Sequence, residues 1–196
     1  GSVIIGNGNQ TSDILVGTRN GTSHVMGHSL VLNGSTTTAG AGAQLGFFGD
    51  GAAIGGSTSI RVHEGGVTLN SGISDAHAQI GHGGFGAASS AIGSTANLSI
   101  SFCEPGDVVL NAGTGTGSYA QLGHGGRGVG GTKAGDILIT GRDGASQAGN
   151  IYLNGGSGSQ SYAQIGNGGL GGSGADQGSI RINSGGEVAL TGGTGQ

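Results

Sequence analysis

The 196-residue chain has no tryptophan, one proline, one methionine, one cysteine, four phenylalanines and three tyrosines. Charged residues supply only 8% of it. Each shortage excludes something. The single Cys103 forms no internal disulfide, so covalent cross-links do not hold the fold. Scarce cysteine suits an exported protein and a cytosolic one equally. One proline, with glycine off any three-residue period, excludes a collagen triple helix. Ten acids against six bases give a net charge of −4 with no basic cluster. Phosphate neutralisation needs clustered Lys and Arg, so neither nucleic-acid binding nor attachment to an acidic membrane surface is expected. No apolar run is long enough to cross a bilayer as a helix, and no charged-then-apolar leader opens the chain.

What is abundant is glycine, 51 residues of 196. A flexible Gly/Ser linker would share that richness. It would have no reason to keep apolar runs at regular intervals, and this chain does. The motif Ala-Gln-Leu/Ile-Gly occurs at 43–46, 78–81, 120–123 and 163–166, and Val-Ile-Ile-Gly at 3–6 reads as a degenerate fifth copy. Apolar runs ending in Leu-Asn or Leu-Thr recur as LVLN at 30–33, VTLN at 67–70, DVVLN at 107–111, IYLN at 151–154 and VALT at 188–191. Third segments follow: SIRV at 59–62, LSIS at 98–101, ILIT at 137–140 and IRIN at 180–183. A unit repeating at this length denotes an array of small modules stacked on one another.

The runs alternate with period two. In IRIN, Ile180 and Ile182 share one face while Arg181 and Asn183 take the other. Such runs are short strands with one buried face. Dense glycine opposes helix by about 1 kcal/mol per residue relative to alanine. The expected fold is therefore all-β: a parallel β-solenoid of about five repeats, near 3–42, 43–77, 78–119, 120–162 and 163–196, forming one array and a fragment of a longer protein. Weaker runs at 14–16, 52–54 and 90–92 suggest a fourth strand per repeat. Two coils of ~20 residues per repeat are expected on that count; one large three-sided coil is the alternative.

Two sets of amides occupy equivalent positions: Asn33, Asn70, Asn111 and Asn154, and Gln44, Gln79, Gln121 and Gln164. Stacked identical amides form hydrogen-bonded ladders in cross-β arrays. Asparagine at a strand end also tolerates the left-handed backbone of a sharp corner. The bland alternative is that these are turn and surface amides.

The cadence GSIRINSGGEVALTGG at 178–193, with SYAQLGHGG at 118–126 and SYAQIGNGG at 161–169, resembles the filamentous-haemagglutinin type of bacterial exoprotein. That resemblance implies a β-helical shaft in a large secreted or surface adhesin, exported by two-partner secretion or as an autotransporter passenger. It implies host or cell-surface partners reached through other parts of a longer chain. The family's N-terminal secretion domain is not visible.

Candidate chemistry is sparse. GGSGAD at 171–176 matches the start of a calcium-binding nonapeptide, but once only, and Asp50, Asp107, Asp136 and Asp176 are not equivalent positions. His82 and His124 are equivalent, yet Phe47, Asn167 and Asn7 hold the same site in other repeats, so a repeated metal site is not expected and a tolerant surface corner is. His77 lies beside the Gln motif, while His24 and His28 belong to an atypical first repeat. A few carboxylate pairs, Glu104 with Asp107 for example, could serve glycan cleavage, without aromatic platforms or a basic cluster to hold a sugar acid. Thr36–Thr38, Thr114, Thr116, Thr191 and Thr194 hint at ice binding but do not form an equivalent array. No catalytic, cofactor or metal residue is assigned. The expected function is a non-enzymatic structural shaft, with an ice- or surface-binding solenoid and a polysaccharide-active enzyme as alternatives. Joining VALTGGTGQ to GSVIIGNGN regenerates the internal spacing, so end-to-end self-association is expected.

Overall fold

The computed structural model describes residues 1–49, 51–87, 90–141 and 147–195. It is all-β and winds as a parallel solenoid. The first turn carries β1 (Val3–Ile5), β2 (Ile14–Val16) and β3 (Ser23–Gly27). The second carries β4 (Leu30–Asn33), β5 (Ala43–Leu45), β6 (Gly51–Ile54) and β7 (Thr58–Val62). The third carries β8 (Val67–Asn70), β9 (His77–Ile80), β10 (Ser90–Ile92) and β11 (Leu98–Phe102). The fourth has β12 (Val108–Asn111), β13 (Tyr119–Leu122) and β14 (Ile137–Gly141). The fifth has β15 (Ile151–Asn154), β16 (Tyr162–Ile165) and β17 (Ile180–Ile182), and β18 (Val188–Thr191) follows.

Three sheets run the length of the stack. The first is six-stranded, β1-β4-β8-β12-β15-β18. The second and third are five-stranded, β2-β5-β9-β13-β16 and β3-β7-β11-β14-β17. Register is strict: Leu32, Leu69, Leu110, Leu153 and Leu190 lie side by side, as do Ile60, Ile100, Ile139 and Ile182. The inward rows of all three sheets meet in one core, which includes Leu32, Leu69, Leu110, Ile80, Leu122, Ile100 and Ile139. Burying each such side chain contributes roughly 1.5–3 kcal/mol. A small satellite cluster of Ile54, Ile92 and Ala96, with Phe47 against it, fills the space beneath β6 and β10.

The register corrects three expectations. Equivalent asparagines 37, 41 and 43 residues apart are direct neighbours, so each repeat is one large coil and not two. The fourth strand is real in β6 and β10, which pair with each other, but the run at 14–16 does not belong with them. It pairs with Ala43–Leu45, in the second sheet. Conversely, Val3–Ile5 pairs with Leu30–Leu32 and is a first-sheet strand, so Val-Ile-Ile-Gly is not a copy of the Gln motif. Both short runs are apolar and followed by glycine, and only long-range pairing tells them apart. The motif match across the joined termini is lost for the same reason. Stacking β1 of one copy on β18 of another matches the first sheet and leaves the other two sheets one strand short.

Candidate functional site

The residues that repeat are those at which the chain turns from one sheet to the next, and their side chains build the candidate site. Asn33, Asn70, Asn111 and Asn154 end β4, β8, β12 and β15 in register. Asn154 Nδ2 donates to Asn111 Oδ1 at 2.8 Å, Asn111 to Asn70 at 2.8 Å and Asn70 to Asn33 at 2.9 Å. Asn33 Nδ2 closes the series on the Gly6 carbonyl at 3.2 Å. The expected amide ladder is present, and it runs in one direction. A left-handed corner lies elsewhere, three residues before the alanine of each Ala-Gln-Leu/Ile motif: Gly40 (φ 75), Asp75 (φ 60), Gly117 (φ 69) and Gln160 (φ 60).

The glutamines stack in register but are not a ladder of amides. Each reaches over the glycine-led corner that follows its strand and donates to backbone carbonyls. Gln44 Nε2 meets the Gly81 carbonyl at 2.8 Å. Gln79 meets those of Gly123 and Gly125 at 3.1 and 3.3 Å, and Gln121 those of Gly166 and Gly168 at 3.0 and 2.9 Å. Gln164, in the last second-sheet strand, keeps only the Asn167 carbonyl at 3.2 Å. Gln44, Gln79 and Gln121 are fully buried, so they are not surface amides. Neighbouring corners approach so closely that a Cβ on Gly81 or Gly123 would fall about 2 Å from the carbonyl oxygen of the next turn. This close approach is why the motif ends in glycine.

Two aromatic columns accompany the glutamines. His77, Tyr119 and Tyr162 occupy one row of the second sheet, with ring centroids 5.2 Å apart at each step. The Tyr119 hydroxyl donates to Gln79 Oε1 at 3.1 Å. Burial raises the pKa of both tyrosines well above the ordinary phenol value. The alignment of SYAQ at 118–121 with AHAQ at 76–79 was the available signal for this column.

His82 and His124 form the second column, stacked at 5.0 Å with 4° between their planes. They are 1% and 0% exposed, so the expected tolerant surface corner is in fact interior. Both ring nitrogens are used. His82 Nδ1 accepts the Phe47 N–H at 2.9 Å, and His124 Nδ1 accepts the His82 N–H at 3.0 Å. The opposite nitrogens, Nε2, donate to the carbonyls of Gly56 and Ala96. Asn167 repeats the pattern one turn on: its Oδ1 accepts the His124 N–H at 3.0 Å and its Nδ2 donates to Gly135 and Gln177. That pattern requires neutral imidazole, since a proton on Nδ1 would face an N–H donor. Burial pushes the pKa of His124 down to about 3, the neighbouring His82 adding to the shift and the bond to Ala96 opposing it. His82 and His77 are lowered as well, chiefly by burial.

The acidic residues act as corner acceptors. Asp107 Oδ1 takes the Asn150 N–H at 2.7 Å and Asp136 Oδ1 the Ser179 N–H at 2.7 Å. Asp107 is thereby engaged in holding the corner at Asn150, and Glu104 is exposed. Asp50 lies outside the described residues. In the 171–176 segment, Asp176 meets an ammonium: Lys133 Nζ stands 3.1 Å from its carboxylate and donates to the carbonyls of Gly131 and Ser173 at 2.8 and 2.7 Å. Lys133 is 1% exposed, and within the 171–176 segment the Asp176 carboxylate and the Ser173 carbonyl face its ammonium. Of the threonines, Thr191 lies beside Asn154 rather than another threonine, and Thr36 Oγ1 donates to the Gly8 carbonyl at 2.8 Å. Among the described residues no group of three His, Cys, Asp or Glu is gathered as a metal site. Comparison of the chain with protein-family models, with curated proteins and with solved structures found no match.

Proposed function

We propose that this chain is a structural shaft segment of a large extracellular bacterial adhesin or fibre. The observation that carries the reading is the continuous asparagine ladder, four amides joined end to end through successive turns. Its residues are spent on one another. Gln44, Gln79 and Gln121 and the histidine column likewise satisfy neighbouring turns and converge on no common external point. A stack in which each turn contacts only its neighbours adds length without changing the unit. The resemblance of the 118–126, 161–169 and 178–193 blocks to filamentous-haemagglutinin repeats supports the extracellular setting. The outermost strands expose apolar side chains: Leu15 and Val16 are 45% and 46% exposed in β2, Val188 and Leu190 53% and 73% in β18. Open parallel edges accept further strands, which supports self-association as the partner mode.

A length series tests the reading. Residues 67–107 form one coil in register with its neighbours, so a duplicate of that stretch adds one turn. With a binding module fused at one end and an anchor at the other, each added turn extends the reach by ~4.8 Å. The segment alone is expected to bind neither glycans nor matrix proteins. Saturable glycan binding or cleavage by the segment alone would overturn the shaft assignment, and so would a reach independent of turn number.

A further inference from the structure

The second, third and fourth turns each satisfy a donor on the turn that follows. Gln44, Gln79 and Gln121 reach the carbonyl of the glycine one turn on, at Gly81, Gly123 and Gly166. Gln164 stands in the same row, and only the Asn167 carbonyl of its own corner meets it. The first turn presents the matching group. Gly17 follows β2 as Gly81 and Gly123 follow their strands, and its φ of 159° lies close to their 141° and 153°. By the register of β2 on β5, Thr18 holds the place of Phe47 and brings a hydroxyl oxygen to the row in which His82, His124 and Asn167 accept backbone N–H groups.

Strand number decides how two copies could meet. The first sheet has six strands and the second and third have five. With β2 of one copy set on β16 of another, and β3 on β17, both five-stranded sheets continue unbroken. One place then remains in the first sheet, between β15 of one copy and β4 of the next, and β18 and β1 compete for it. β18 pairs four residues with β15, whereas β1 pairs three with β4.

We propose that a second copy of this chain docks head to tail on the fifth turn, with β18 of the first copy displacing β1 of the second. Replacing one strand by its equivalent from another copy is a low-cost route to association. Leu190, exposed in the single chain, becomes enclosed between Leu153 and Leu32 of the next copy. Thr191 takes the place of Gly6 beside Asn33, whose Nδ2 otherwise ends on the Gly6 carbonyl. Gln164 Nε2 meets the Gly17 carbonyl as Gln121 meets that of Gly166. The occupant is a second copy because the donor at one face and the carbonyl at the other are two halves of a contact already made three times within the stack. This joint rests on the shaft reading and lengthens the shaft with copies of one chain.

The competition of β1 with β18 gives the test. Sedimentation velocity compares the 196-residue chain with chains lacking residues 1–6, residues 187–196, or both. Either single deletion leaves one claimant for the place and is expected to tighten association by ~10-fold or more, into linear oligomers. The double deletion leaves the place empty and is expected to lose that gain. Ile5→Asp, which expels β1 without shortening the chain, should act as the first deletion does, and circular dichroism checks that each chain is folded. Gln164→Ala in the chain lacking residues 1–6 should weaken association by ~10-fold. Equal association in all four chains overturns the strand exchange. So does tightest association in the double deletion, which would mark unspecific pairing of exposed edges, and so do monomers throughout. Each of these results leaves the dependence of reach on turn number, which tests the shaft, unaffected.

Discussion

Acid should loosen this solenoid well above the pH at which carboxylates titrate, and the histidine column sets the amount. His124 has its pKa lowered to about 3 in the folded chain, against 6.5 ordinarily. The unfolded chain therefore binds the proton more readily, and stability rises with pH between those values. His124's contribution is fully present above about pH 6.5 and falls as the pH drops below it. It is exhausted near pH 3, where the folded chain binds the proton too. At ~1.36 kcal/mol per pKa unit the whole contribution is about 5 kcal/mol. Between pH 7.5 and pH 5 His124 alone loses about 2 kcal/mol, or roughly 4–8 °C in Tm for a chain of this size. His82 and His77 act in the same direction. Thermal unfolding followed by circular dichroism across pH 5–8 measures the slope. The diagnostic variant is His124→Asn, because Asn167 already makes the equivalent bonds with an amide that does not titrate. That variant starts less stable, having lost a stacked ring, but its slope should be shallower by His124's share. A wild-type Tm that is flat from pH 7.5 to 5 would refute the reasoning, as would an undiminished slope in His124→Asn.

Gln121→Ala strips a buried donor from two carbonyls of the next turn and should cost about 2–3 kcal/mol in urea unfolding. Gln164→Ala, with one bond at 3.2 Å, should cost about 1 kcal/mol, whereas Ile165→Asp, on the inward face, should prevent folding; equal costs at both glutamines would show that they do not act on the corner carbonyls. Asn111→Asp sets a carboxylate against Asn70 Oδ1 and should cost about 1–3 kcal/mol, while Thr191→Asn extends the ladder to Asn154 and should add about 0.5–1 kcal/mol, both read as Tm shifts. Lys133→Met leaves two carbonyls and Asp176 without their cation, at about 2–3 kcal/mol, and adding Asp176→Asn should restore part of it; full stability in Lys133→Met alone would show that the ammonium is not structural.

The histidine column shows where reading the sequence stopped. Phe47, His82, His124 and Asn167 look like a position that accepts anything, because a repeat alignment compares residues with one another and not with their surroundings. In the fold, Nδ1 of each histidine and Oδ1 of Asn167 accept the backbone N–H of the preceding turn. At His82, His124 and Asn167 the position supplies an acceptor atom, which Phe47 lacks. The glutamines share a row as the sequence indicates but bond carbonyls rather than one another, and for Gln79 and Gln121 those carbonyls belong to corners more than forty residues away.

The amino-acid sequence by itself determined the class of fold, because period-two alternation and glycine at the corners depend on neighbours a few residues away. It also determined which asparagines share a row, since identical residues at the same place in each unit stack wherever the unit stacks. Tertiary structure alone decided how much chain makes one turn and which apolar run joins which sheet. Val3–Ile5 and Ile14–Val16 are locally interchangeable strands, and backbone pairing with Leu30–Leu32 and Ala43–Leu45 is what separates them. Pairing of that kind follows from burial across a whole turn, and no local pattern carries it.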